Sequence, residues 1–166
     1  MDEVTARLGL PLLAAGQAGK EVTHNEALAL IDLGVSASVE AVGAEEPPAD
    51  PEEGRAWILG PAPRGAWAGN PGAIAGWTAG GWRFVRPFDG LGAWNRAAEL
   101  PVRYAGGAWV SGEIRAARVV VGGQPVLGPR RPPIPAPAGG ATVDAEARAT
   151  LGAVLDALRA HGLIGT

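Results

Sequence analysis

The chain has 166 residues, enough for one compact domain or two small ones, and carries a formal charge of −3. That balance argues against a protein whose main work is neutralising nucleic-acid phosphates. The lack of Cys excludes a disulfide framework, a thiolate metal site and a cysteine nucleophile. Gly (26) and Pro (15) make up about a quarter of the residues, roughly twice the ordinary share, yet 47% are hydrophobic. Such a chain can bury a core but must turn often. With six Trp against two Phe and one Tyr, it predicts a mainly β, α+β fold with an antiparallel, hairpin-rich body. The start Met1-Asp2-Glu3 lacks the basic and apolar stretches of a signal peptide, and no run reaches membrane-spanning length. A soluble protein made in the cytoplasm, with no membrane insertion, is expected.

Along the chain, Leu8 to Leu13 form a short apolar run, and Gly16-Gln17-Ala18-Gly19-Lys20 reads as a hinge. Thr23-His24-Asn25-Glu26 fits a capping box, the Thr23 hydroxyl accepting from the Glu26 amide while Glu26 reaches back. Ala27, Leu28, Leu30 and Ile31 then supply the apolar side of a short helix ending near Leu33-Gly34. From Val35 to Ala41 apolar and polar residues alternate at strand period. Residues 43–54 mix Glu45, Glu46, Asp50, Glu52 and Glu53 with three prolines, which predicts a solvated acidic loop without regular structure.

Residues 55–121 carry short apolar segments separated by Gly-rich turns, the pattern of successive hairpins. They also repeat. Gly65-Ala66-Trp67 recurs twenty-seven positions later as Gly92-Ala93-Trp94, and the same offset carries Trp77 onto Tyr104, Gly80 onto Gly107 and Trp82 onto Trp109. The expected domain is therefore residues 1–121, with two copies of a strand–loop–hairpin unit over about 65–112. Its last strand is read over Ile114 to Val121.

Residues 122–141, rich in Pro and Gly, read as a semi-rigid extended spacer. A helix follows within 142–166, with Thr142 as N-cap, Asp144 and Glu146 in the first turn, and Gly162 as its stop. Val143, Ala147, Leu151, Val154 and Leu158 fall on one stripe. A helix of that length is marginal alone, so the stripe needs a partner. Small flanking alanines and the spacer favour pairing with copies of itself, a trimer being the expected homo-oligomer.

Catalysis is weakly signalled. His24 and His161 read as capping or surface residues, no Ser sits in a nucleophile elbow, and no Gly run spells a phosphate or dinucleotide fingerprint. Asp89, Glu99 and Glu113 are the acids that a carbohydrate-active enzyme would have to bring together. The reading is therefore of no enzyme, no catalytic residues, no metal and no cofactor. Aromatics on hairpins can stack on sugar rings or fill a protein partner. Trp67, Trp77, Trp94, Tyr104 and Trp109 are the candidates for glycan or partner binding. The competing use is core: a buried Trp removes on the order of 150–250 Å² from water, worth roughly 4–6 kcal/mol at about 25 cal/mol per Å². Trp82 and Phe84, sharing one strand face, are the better core residues, and Trp67 and Trp94 the better surface ones.

The segment Leu10-Pro11-Leu12-Leu13-Ala14-Ala15-Gly16-Gln17-Ala18-Gly19-Lys20-Glu21-Val22-Thr23-His24-Asn25-Glu26-Ala27-Leu28 resembles the opening of a domain family of unknown function. That family is carried by alphaproteobacterial prophages and gene transfer agents, in tail-fibre-like or other particle-surface proteins. Its members read Leu-Pro, then Gln-Ala-x-Lys-x-Val-Thr-His-Asn-Glu-Ala, and continue with an acidic stretch and a Gly-Ala-Trp-x-Gly segment, as at 65–69. Gly19 departs from the polar residue usual there. The likeness covers about 8–110 and again 143–164. It implies a multimeric, non-enzymatic component of a phage-like particle that contacts other particle proteins and host surface polysaccharide. A small carbohydrate-active enzyme or an assembly adaptor are the alternatives.

Overall fold

The computed structural model describes residues 4–142 and 144–165, and the chain divides into two units at Glu113/Ile114. In the first, α1 (Lys20–Gly34) is followed by β1 (Ala37–Val39), β2 (Val42–Ala44) and β3 (Ala56–Leu59). A single 3-10 turn at Gly65–Trp67 precedes β4 (Ile74–Thr78), β5 (Gly81–Val85), β6 (Gly92–Asn95), β7 (Leu100–Ala105) and β8 (Ala108–Ser111). The fold is thus mainly β, an α+β arrangement of hairpins with a helix before them.

The strands form two four-stranded sheets, ordered β2-β3-β4-β5 and β1-β6-β7-β8. Each starts with one parallel pairing at its edge and continues antiparallel. Because β1 and β2 are consecutive, the short segment 37–44 edges both sheets. Glu40 stands at that switch. Its N–H donates to the Ala56 carbonyl (2.8 Å), and its carboxylate meets Arg55, before β3, at 3.0 Å and Arg96, after β6, at 3.5 Å. Hydrogen bonds from Arg55 to Glu40 and then Glu52 hold that guanidinium's pKa above its ordinary value.

Between the sheets lies a core of Leu33, Ala37, Val39, Ala56, Ile58, Ile74, Leu91 and Val102. A second cluster covers the opposite face of β3-β4-β5: Leu59, Trp67 and Ala75, with Trp57, Trp82 and Phe84 packed on it. The first sheet is therefore apolar on both faces. α1 packs on β4 and β5. There Gly76 is required, since a Cβ would stand 2.5 Å and 2.9 Å from the two methyls of buried Leu33. Gly76→Ala is expected to lower stability by about 1–3 kcal/mol through overpacking. A fall in urea midpoint at unchanged slope would read that loss, and an unchanged midpoint would refute it.

The hairpins keep the twenty-seven-residue spacing. Trp77 faces Trp82 across β4-β5 and Tyr104 faces Trp109 across β7-β8, both edge-to-face, with ring centroids 5.0 Å and 5.4 Å apart. The two Gly-Ala-Trp segments do not correspond. Gly65–Trp67 is a 3-10 turn, whereas Gly92–Asn95 is strand β6. The pairing partner of β4 that corresponds to β6 is β3: Ala56 faces Gly76 as Gly92 faces Arg103.

Several local expectations change. α1 begins one turn earlier than the capping box implies: Gly19, at φ 82°, precedes it, and Thr23 is the fourth helical residue. The acidic stretch is irregular after Ala44, where β2 ends. The strand expected over Ile114 to Val121 is confined to β9 (Val119–Val121), which pairs antiparallel with β10 (Gln124–Leu127).

In the second unit this hairpin is followed by extended chain and by α2 (Ala145–Ala160). The N-cap is Asp144, accepting from the Ala147 N–H at 2.9 Å, rather than Thr142. The proline stretch is extended chain, tied to α2 and the tail at several points. Arg159 donates to the Ile134 carbonyl (2.8 Å), Arg148 to those of Pro137 and Gly139, and Arg131 forms a parallel bridge with Ile164. Three arginines thus lash the extended segment to the helix and its tail. Leu155 and Ile164 are the buried apolar side chains among this unit's described residues.

Candidate functional site

A cleft of about 490 Å³ opens in the first unit between the N-terminal segment, α1 and the β4-β5 hairpin. Its N-terminal wall is held by buried Asp32 on α1. That carboxylate accepts from the Thr5 hydroxyl (2.8 Å) and from the Arg7 and Leu8 N–H groups (3.1 and 2.5 Å). Arg7 in turn donates to the carbonyls of Asp32, Leu33 and Ser36. It places a cation at the C-terminal end of a helix whose own last turn has none, where the dipole favours it. Asn25 holds the segment further on, accepting from the Leu13 N–H (2.9 Å) and donating back to its carbonyl (3.0 Å).

The opposite wall is the hairpin, with Trp77, Thr78 and Arg83. Arg83 donates to Glu26 at 2.7 Å and to the carbonyls of Gly80 and Trp82 at 3.0 Å. Glu26 therefore joins α1 to the sheet instead of closing a capping box. His24, next to it, is exposed within the helix rather than at its end, and His161 caps the C-terminus of α2.

The nominated aromatics separate into three environments. Trp67 is fully buried, against the surface role expected of it: the 3-10 turn folds its ring onto Trp57 and Trp82, at 6.0 Å and 5.2 Å. Tyr104 and Trp109 pack against the central core, and the Trp109 indole N–H is spent on the Gly72 carbonyl at 2.7 Å. Trp94 is 46% exposed on the outward face of β6, as expected, and Trp77, half-buried, sets its ring against Trp82 on the sheet face away from α1, so only its strand borders the cleft. Trp82 and Phe84 sit, as expected of them, on one sheet face in an apolar cluster. The cleft groups Glu26, Asn25 and Arg83 were missed as a site. The one signal in the sequence was the Arg83 cation on a strand otherwise apolar.

On α2, Ala147, Leu151 and Val154 of the nominated stripe are exposed and Leu158 is half-buried, while Val143 lies outside the described residues. The helix instead turns Leu155 inward. Asp89, Glu99 and Glu113 do not line the cleft; Asp89 accepts from the Gly106 N–H at 3.2 Å, bracing the β7-β8 turn. Among the described residues, no group of three or more His, Asp or Glu is placed to hold a metal ion, and no helix is long and apolar enough to cross a membrane.

No curated protein matches the chain. A family model described as a protein of unknown function, DUF2793, matches residues 24–110, just over half of the 166. That span runs from the second turn of α1 into β8 and so takes in both sheets and the hairpin wall of the cleft. The chain belongs to the DUF2793 family.

Proposed function

We propose that this protein is a non-enzymatic structural and attachment component of a phage-like particle or gene transfer agent. In this reading, several chains are gathered by their C-terminal helices and present their β bodies to host surface glycan. The observation that carries the assembly half is the outer face of α2. Leu151 and Val154 are 52% and 51% exposed on a helix whose unit buries little else, and β9 adds three exposed valines. So small a core cannot hold a unit by itself, and copies of the same chain supply the missing apolar contact. A trimer suits a fibre, and several copies raise weak sugar contacts to useful avidity. The likeness of residues 10–28 to particle-surface proteins supports the setting.

Light scattering coupled to size exclusion tests this. The full chain is expected to run as a trimer. Changing Leu151 and Val154 together to Asp weakens self-association by at least about 100-fold, giving monomers with an unchanged β body by circular dichroism. A wild-type chain that stays monomeric at every concentration would remove the assembly half.

A further inference from the structure

We infer that the β9-β10 hairpin is a wedge between copies of this chain, each of its two faces packed against a different neighbour. The inference rests on the assembly reading above and adds to it the surface used and its geometry.

Every residue from 114 to 142 is exposed, yet β9 and β10 form a regular antiparallel pair that turns on Gly122 and Gly123, at φ 55° and 80°. A two-stranded hairpin by itself is at best marginal in water and needs an apolar face covered. This one is apolar on both. Residues opposite one another share a face, so Val119 and Val121 stand with Leu127 and Gln124, while Val120 stands with Pro125 on the other side. A strand with apolar side chains on both sides belongs between two layers, as β3 and β4 lie in the first unit. The second unit's described residues supply neither layer, since every residue of β9 and β10 remains exposed.

The missing layers amount to a definite area. Two separate compact bodies of the two units' sizes would together expose about 9,100 Å². The chain exposes 10995 Å². That surplus, roughly 1,900 Å², is what a subunit gives up to two neighbours at about 800 Å² each.

Two neighbours also suit a thin ribbon. A foreign protein or a host surface seated on it covers one face. A two-fold dimer pairs like with like and leaves the second face wet. Around a three-fold axis, one face of each hairpin meets the opposite face of the next, and the ring closes with both covered. In the same unit, α2 carries exposed Leu151 and Val154, so the hairpin extends an interface for which the helix already has the apolar surface.

Hydrogen exchange and light scattering on the full chain test this together. The wild type is expected to be a trimer with protected amides over 119–127. In monomer, obtained by dilution or by changing Leu151 and Val154 to Asp, those amides are expected to exchange freely while β4-β5 keeps its protection. Val120→Asp and Val121→Asp, one on each face, should each weaken self-association at least about tenfold and leave the circular dichroism of the β body unchanged. A trimer whose 119–127 amides exchange freely, or one that tolerates either aspartate, would overturn the wedge and leave assembly through α2 standing. A dimer as the largest species would do the same. Protection that persists in the monomer would mean that the hairpin packs on its own chain, and would equally overturn it. A wild-type chain that is monomeric at every concentration would overturn both readings.

Discussion

Trp67→Ala is expected to cost about 3–5 kcal/mol, the largest loss from any single truncation in the first unit. The side chain is fully buried and its ring lies against Trp57 and Trp82. It closes the outer face of β3-β4-β5, so its removal exposes Trp57, Trp82 and Phe84 together. Among the described residues its indole N–H meets no acceptor, and the ring stands edge-to-face with Trp82 at 81°. The anchoring is thus apolar and quadrupolar rather than a hydrogen bond. Trp67→Phe should accordingly recover a large part of the loss. Urea unfolding followed by circular dichroism measures both variants; a loss below about 1 kcal/mol for the alanine form would contradict the burial.

Asp32→Asn is expected to cost about 2–3 kcal/mol and to release the N-terminal wall of the cleft. The carboxylate accepts three hydrogen bonds, from Thr5, Arg7 and Leu8, in a buried position. An amide can keep its oxygen on the Thr5 hydroxyl and the Leu8 N–H, but it then turns its NH2 toward the Arg7 N–H, itself a donor. Besides these bonds, the segment 4–12 is held by the Arg7 guanidinium on the Asp32, Leu33 and Ser36 carbonyls. Hydrogen exchange should therefore accelerate at the Arg7 and Leu8 amides while the β4-β5 amides keep their protection. Uniform acceleration across both would mean that Asp32 supports the whole unit, not the wall alone.

These two side chains show where sequence reading stops. Trp67 belongs to a Gly-Ala-Trp segment identical to 92–94, yet one copy buries its ring and the other leaves it 46% exposed. The difference lies in the connection. Residues 60–73 give the first copy a loop long enough to fold back over its sheet, while four residues, 96–99, join β6 directly to β7. Identical triplets cannot reveal that. Asp32 is similar: nothing local marks an acid in the last turn of α1, to which a segment some twenty-five residues earlier brings three donors.

The sequence by itself determined what local chemistry and short spacing can encode. These are the β-rich class, the turns that need glycine, the paired aromatics of the two hairpins, and a C-terminal helix. Only the tertiary structure decided which sheet face each tryptophan covers, that the proline stretch is lashed to α2, and that Glu26 reaches Arg83 to wall a cleft. Alternation along a strand says that two faces differ but not which one is inward. That choice depends on contacts between residues as far apart as Glu26 and Arg83, fifty-seven positions along the chain, which no local pattern records.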